Sequence, residues 1–128
     1  MQAIKLSKLE LQIMDPLWRY GEASIRDLQE SIAEPSRPTY ATVQTTVYRL
    51  ETKGAVRRTR KVGHFHIFEA IIARDVAQRR FLEDLLALFG GQARPVVAQL
   101  IDTGKLTMED VKFAEKTLKS MSSKGVGK

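Results

Sequence analysis

Apolar residues recur at helical spacing along most of the chain and predict a mainly α-helical protein. Near the start, Leu9, Ile13 and Leu17 recur every four residues, which places them on one face of a first helix that Ser7 can cap. Pro16 interrupts this pattern because proline removes one helical hydrogen bond. We therefore expect a kink or a short break in the first helix.

Two further helices follow in close succession. Ser24 can cap a short second helix that we expect to end at Pro35. After a proline-rich turn, Thr39 can cap a third helix that runs to about Lys53, with Gly54 closing it. Two helices joined by a tight turn predict a helix-turn-helix.

The third helix has two contrasting sides. At about 100° per residue, Val43, Thr46, Val47 and Leu50 fall on one side, which we expect to be core. The opposite side and its flank carry Ala41, Thr42, Gln44, Thr45, Tyr48, Arg49 and Thr52. Small or hydrogen-bonding side chains without a carboxylate can approach base edges in a major groove. An ordinary polar surface is the alternative interpretation.

The next segment, AVRRTRKVGHFHIFEA, predicts a two-stranded hairpin that turns at Gly63. Regular alternation would place Arg58 and Arg60 on one face and Arg57, Thr59 and Lys61 on the other. A basic ribbon directly after such a helix is a wing, which would lie along the phosphate backbone. The returning arm is expected to pack through Phe65, Ile67 and Phe68. We expect His64 to contact phosphate and His66 to be structural.

The rest of the chain predicts three helices with apolar sides, in ARDVAQRRFLEDLLALFGG, ARPVVAQLIDTGKL and LTMEDVKFAEKTLKSM. About 50 residues cannot build an ample core alone, so we expect a second copy of the chain to cover these sides. A cap folded back onto the first domain is the alternative. The residues expected in the dimer interface are Ala77, Phe81, Leu85, Leu88, Phe89, Val97, Leu100, Val111 and Leu118.

Composition excludes several classes of function. The 128 residues contain no cysteine, which excludes disulfides, thiolate metal sites and cysteine nucleophiles, and the two histidines fall short of a catalytic zinc site. We expect no catalytic site, metal or cofactor. Because the sequence lacks both a secretory signal pattern and an apolar run of about 20 residues, it predicts a cytoplasmic protein without membrane contact.

Charge is concentrated in one part of the chain. The net charge is +6, and residues 37–64 hold seven basic residues against one acidic residue. A solvated basic surface is one interpretation of such a run. Together with a winged helix-turn-helix, the run favours double-stranded DNA as the partner.

These elements predict a mainly α fold with a small β-hairpin wing. We expect a winged helix-turn-helix DNA-binding domain over residues 1–72, a three-helix dimerisation segment over 73–122 and a disordered tail over 123–128. The residues expected to contact DNA are Thr39, Ala41, Thr42, Gln44, Thr45, Tyr48, Arg49, Arg57, Arg58, Arg60, Lys61 and His64.

The order of these elements and several motifs resemble the penicillinase-repressor family of bacterial transcriptional regulators, the BlaI/MecI/CopY group. The similar segments are LELQIMDPLW, TVQTTVYRLETKG, GHFHIF, LEDLLALFGG and KLTMEDV, which extend over nearly the whole chain. The resemblance implies a homodimeric repressor that binds a palindromic operator of β-lactam-resistance or metal-handling genes. It marks Ala41, Thr42, Gln44, Thr45 and Arg49 as facing DNA.

The chain departs from the family pattern at several points. Some members carry larger basic residues at the positions of Ala41 and Gln44, so the resemblance transfers no base preference there. The β-lactam branch is induced when a sensor protease cuts an Asn-Phe bond, which aligns here with Gln99-Leu100. The copper branch uses a cysteine pair that this chain lacks. A sensor protease is therefore a candidate partner, although this chain lacks the Asn-Phe bond that such a protease cuts in the β-lactam branch.

Two other functions remain open from the sequence. The first is an architectural winged-helix protein that binds DNA without a specific operator. The second is a winged helix used only for protein contacts, which predicts no salt-sensitive affinity for DNA.

Overall fold

The computed structural model describes residues 4–123. The helices in this range are α1 (Lys8–Tyr20), α2 (Ile25–Glu30), α3 (Tyr40–Lys53), α4 (Arg74–Ala87), α5 (Ala93–Asp102) and α6 (Met108–Ser123). The strands are β1 (Glu22–Ala23), β2 (Val56–Val62) and β3 (Phe65–Ala70). The protein is therefore mainly helical with a small antiparallel sheet, which confirms the predicted fold class.

The sheet has three strands in the order β1-β3-β2. The hairpin of β2 and β3 was expected, whereas β1 was not. Glu22 pairs with Glu69 and Ala23 pairs with Phe68, so β1 adds a short third strand to the returning arm of the hairpin. This strand links the start of the helix-turn-helix to the wing.

We expected a kink or a short break at Pro16; helix α1 passes through Pro16 without a break, so the break is wrong, whereas the kink stays a prediction. Pro16 is buried, and the packing of this side of α1 holds the helix together despite the lost hydrogen bond. Helix α2 begins after the Ser24 cap, as expected, but it ends at Glu30 rather than at Pro35. The Ser31 N–H donates to the Asp27 carbonyl there and closes the helix.

The core of the winged helix lies between α1, α2, α3 and the sheet. Its fully buried side chains include Ile13, Leu28, Val47 and Phe68, each from a different element. The Trp18 indole Nε1 donates to the Ile72 carbonyl at 2.9 Å and fixes α1 to the segment that follows the sheet. The apolar side predicted for α3 is thus the side that the core covers.

An ion pair joins the end of α3 to the start of α1. Glu10 is only 1% exposed, and the Lys53 Nζ donates to its Oε1 at 2.7 Å. The Ser7 N–H donates to the same oxygen at 2.8 Å, as part of the capping box of α1. The last residue of α3 is therefore attached to the first turn of α1.

The chain divides into two compact units between Asp84 and Leu85, a boundary that lies inside α4. In the second unit, neither α5 nor α6 has a buried residue. The disordered tail expected over 123–128 falls outside the described residues, except that Ser123 is the last residue of α6. Within residues 4–123, none of the helices combines the length and apolarity needed to cross a membrane.

Candidate nucleic-acid interface

The exposed side of α3 is the first part of the candidate interface. Val43, Thr46, Val47 and Leu50 are buried, and the hydroxyl of Thr46 is satisfied because it donates to the Thr42 carbonyl at 2.7 Å. The exposed side carries Ala41, Thr42, Thr45, Tyr48 and Arg49, with Gln44 half-buried beside them. The side chains expected to meet DNA on this helix therefore lie outside the core.

The N-terminus of α3 is well suited to lie near a phosphate. Thr39 caps the helix by accepting from the Thr42 N–H at 3.2 Å, and its hydroxyl donates to the Thr42 hydroxyl at 3.0 Å. The first turn contains no acidic residue. No carboxylate of the first turn thus compensates the partial positive charge of the helix end, which favours a nearby anion.

The wing is irregular between Arg58 and Arg60. Arg58 lies opposite Phe68, whereas Arg60 lies opposite Ile67, and a bulge separates the two pairs. Because directly opposed side chains share a face and successive ones alternate, Arg58 and Arg60 point to different faces of the hairpin. The expectation that they share a face is wrong. Thr59 is an extra residue in β2 with no directly opposed residue in β3, so the alternation of side chains between the two faces shifts by one residue after it.

We call the face that bears Phe68 the inner face, because Phe68 is buried in the core. Arg58 lies on this face and donates to both carboxylate oxygens of Glu51 on α3, at 2.9 and 3.3 Å. Its guanidinium also lies 5.4 Å from the ring centre of Tyr48 and 5.6 Å from that of Phe68. Arg58 therefore attaches the wing to α3, and its expected phosphate contact stays a prediction.

Arg57 and Arg60 lie on the opposite, outer face. Arg57 forms an ion pair with Glu69 of β3, and Arg60 donates to Glu22 of β1 at 2.9 Å. Both pairs are largely exposed to solvent, so each contributes little to folding. These two arginines can exchange a carboxylate for a phosphate at low cost.

Most of the basic residues in 37–64 have a carboxylate partner. The pairs are Arg37 with Glu34, Lys53 with Glu10, Arg57 with Glu69, Arg58 with Glu51 and Arg60 with Glu22. Among residues 4–123, Arg49 and Lys61 form no ion pair. Within the segment 37–64, they are the arginine and lysine side chains most directly available to a polyanion.

The wing carboxylates give a testable consequence. We expect the double variant Glu22→Gln/Glu69→Gln to bind DNA more tightly and to steepen the log-log dependence of affinity on salt by up to about two units, because Arg57 and Arg60 lose their internal partners. Fluorescence anisotropy at several salt concentrations measures both quantities. The control is Glu83→Gln, which removes an exposed carboxylate of α4 that forms no ion pair within residues 4–123. An unchanged salt slope in the double variant would show that these arginines do not contact DNA.

The two histidines lie near the wing turn. His64 is exposed beside Gly63, which has the positive φ of 60° that the turn requires, and His66 is half-buried on the inner face. In the part of the chain that the structure describes, no three His, Cys, Asp or Glu side chains are grouped so that they could hold a metal ion.

A profile of penicillinase repressors matches residues 6–120. The chain belongs to the penicillinase-repressor family. The fold agrees with the solution structure of the DNA-binding domain of the repressor BlaI, at 23% identity and a TM-score of 0.51, over 59% of this chain and 90% of that one. A search of curated protein sequences finds no significant match. Family membership and the winged-helix fold support a DNA-binding repressor, and such repressors are not enzymes.

The residues expected in the dimer interface fall into different environments. Ala77 is 1% exposed and packs in the core of the first unit, so it has no surface to offer a second chain. Phe81, Leu85 and Phe89 are half-buried. The remaining ones, all exposed, are Leu88, Val97, Leu100, Val111 and Leu118.

Sequence reasoning missed the acidic side of the interface. The three carboxylates that pair with a wing arginine are Glu22, Glu51 and Glu69. Only Glu51 lies in the basic segment 37–64, whose charge favours DNA as the partner. A partial signal for Glu69 was available, because a regular hairpin would place it opposite Arg58, and the bulge moves it opposite Arg57. Glu22 gave no such signal, since its position depends on the unexpected strand β1.

Proposed function

We propose that this protein is a transcriptional repressor that acts as a homodimer on a palindromic DNA operator. The observation that carries the proposal is the exposed side of α3, where hydroxyl, amide and guanidinium groups lie together without a carboxylate. Membership of the penicillinase-repressor family supports the same conclusion independently. Occupation of promoter DNA would then exclude polymerase.

Each part of the interface has a distinct role in this proposal. Helix α3 enters the major groove, where the amide of Gln44 can bond adenine through two hydrogen bonds and Thr45 can meet a base edge. Arg49 and Lys61 contact phosphates and set the position of the protein on the duplex. Arg57 and Arg60 join them after they release their carboxylates.

The second unit supports the dimer. Its helices expose large apolar side chains, among them Ile101, Phe113 and Leu118, and apolar surface of this kind marks an interaction site. A dimer with two-fold symmetry places two copies of α3 in successive major grooves, about 34 to 36 Å apart or a multiple of that distance. The operator should therefore be an inverted repeat.

Induction by a sensor protease would have to act on the chain between Gln99 and Leu100. Both residues are exposed, but the bond lies inside α5. A protease binds an extended segment, so cleavage here requires local unfolding of the helix. We propose that any proteolytic signal acts through opening of α5, which limited proteolysis with and without operator DNA would detect.

The division between base reading and phosphate contact can be tested on sites selected from a random duplex library. Gln44→Ala should cost about 1 to 3 kcal/mol on the preferred site and relax the preference at one base pair. Lys61→Ala should weaken binding to all duplexes alike and lower the salt slope by about one unit.

The opposite pattern would refute the groove assignment, namely a changed base preference in Lys61→Ala and none in Gln44→Ala. If the wild-type protein binds duplexes but enriches no sequence, the architectural alternative is correct. If it ignores DNA even at low salt, the winged helix serves protein contacts instead.

A further inference from the structure

The side chain of the half-buried Gln44 has one hydrogen-bond partner within residues 4–123, and this partner is on the same helix. Its Nε2 donates to the Tyr48 hydroxyl at 3.2 Å, one helical turn further along α3. A free glutamine side chain samples several rotamers, and ordering it on binding costs conformational entropy. The contact with Tyr48 removes part of that freedom before DNA arrives.

The geometry of the amide leaves its recognition edge available. A glutamine amide has two N–H donors and one carbonyl acceptor. Bidentate recognition of adenine uses the carbonyl and the N–H on the same side of the amide, whereas the other N–H points away. The contact with Tyr48 needs only one N–H, so Gln44 can keep it while it reads a base.

Tyr48 is itself held from the wing. The guanidinium of Arg58 lies 5.4 Å from the centre of the Tyr48 ring, and the same guanidinium is fixed by two hydrogen bonds to Glu51. A cation over an aromatic face is attracted by the ring quadrupole. Contacts therefore run from Glu51 and Arg58 through the ring of Tyr48 to the amide of Gln44.

We propose that Tyr48 is a positioning residue for base recognition, and that its hydroxyl fixes the amide of Gln44 in the orientation that reads adenine. The inference rests on the proposed function, because it requires that α3 reads DNA. Within that function, the inference assigns a part of base specificity to Tyr48, which acts through the side chain of Gln44. The wing contributes through Arg58, which holds the tyrosine ring.

The test compares Tyr48→Phe with the wild-type protein on sites selected from a random duplex library. Phenylalanine keeps the ring under Arg58 and removes only the hydroxyl. The preference at the base pair that Gln44 reads should fall by about three- to tenfold, the value of one neutral hydrogen bond. Tyr20→Phe is the matched control, since it removes an exposed hydroxyl from the end of α1.

A double-mutant cycle separates positioning from direct contact. In a Gln44→Ala background, Tyr48→Phe should have no further effect on base preference, because the group it positions is gone. An equal effect in both backgrounds would show that the Tyr48 hydroxyl contacts DNA itself and would overturn the inference. So would an unchanged preference in Tyr48→Phe alone.

Failure of the proposed function has a different signature. If the wild-type protein enriches no sequence, specific recognition by α3 is refuted and the role of Tyr48 is refuted with it. If the wild-type protein enriches a site and Tyr48→Phe enriches the same site with equal discrimination, only the role of Tyr48 is refuted.

Discussion

Replacing Lys53 with methionine is expected to lower the free energy of unfolding by about 3 to 5 kcal/mol. The reason is the buried carboxylate of Glu10, which is 1% exposed and receives a 2.7 Å hydrogen bond from the Lys53 Nζ. Without the lysine, a charged group would remain in the core with only the backbone and side chain of Ser7 to compensate it. Chemical denaturation followed by circular dichroism measures the change.

Two controls make the result specific to the pair. Lys61→Met removes an exposed lysine that forms no ion pair within residues 4–123, and it should change stability by less than about 0.5 kcal/mol. Glu10→Gln/Lys53→Met removes both charges and should recover most of the loss, because no buried charge is left unpaired. Equal losses in the single and double variants would show that the packing of Lys53, rather than its charge, is what matters.

The same pair makes stability depend on pH. Burial raises the pKa of Glu10. The hydrogen bonds from Lys53 and from the Ser7 backbone, together with the charge of Lys53, lower the pKa by more than burial raises it. The net pKa of Glu10 therefore lies below its ordinary value. The folded state therefore gains stability above that ordinary value, and the gain is lost as the pH falls through the lowered pKa. Between about pH 7 and about pH 3, wild-type protein should lose more stability than Glu10→Gln.

Local sequence signals were sufficient to locate the starts of α1, α2 and α3. The caps at Ser7, Ser24 and Thr39 all have the expected hydrogen bonds, because a cap depends on residues within a single turn. The two sides of α3 also follow from the sequence, since a helical period fixes which residues share a face. These features need no knowledge of distant parts of the chain.

The features that the sequence did not predict depend on distant partners. Strand β1 exists because Glu22 and Ala23 pair with residues more than 40 positions away, and two residues carry no periodic signal. The bulge at Thr59 changes which face Arg60 occupies, although the local residues look like a regular strand. The DNA contacts of the candidate site stay predictions, and the sequence did not predict the carboxylate partners of the wing arginines.

That difference changes the electrostatic interpretation of the interface. A charge count along the sequence treats every arginine of the wing as available to DNA, whereas the folded chain places a carboxylate beside each of them. Specific binding then includes the exchange of internal ion pairs for phosphate contacts. The salt dependence of binding should consequently be weaker than the number of basic residues suggests.

Leu118→Asp is expected to convert the protein to a monomer and to reduce its affinity for a full operator by about 10²- to 10⁴-fold. Leu118 is 65% exposed and lies on the apolar side of α6 with Val111, Ala114 and Met121. A carboxylate there would be buried without a partner in a dimer, at a cost that the interface cannot tolerate. Loss of the second half-site contact removes the gain that comes from linking two binding modules.

Sedimentation velocity measures the oligomeric state, and anisotropy on duplexes with one or two half-sites measures the affinity. Ser120→Asp is the matched control, because it adds the same charge to α6 about 200° around the helix and should leave the dimer intact. Affinity for a single half-site should be equal in the wild-type protein and in Leu118→Asp, since the exposed side of α3 is unchanged. A dimer that persists in Leu118→Asp would place the interface on another surface, and an equal loss on one and two half-sites would mean that the substitution damages the winged helix itself.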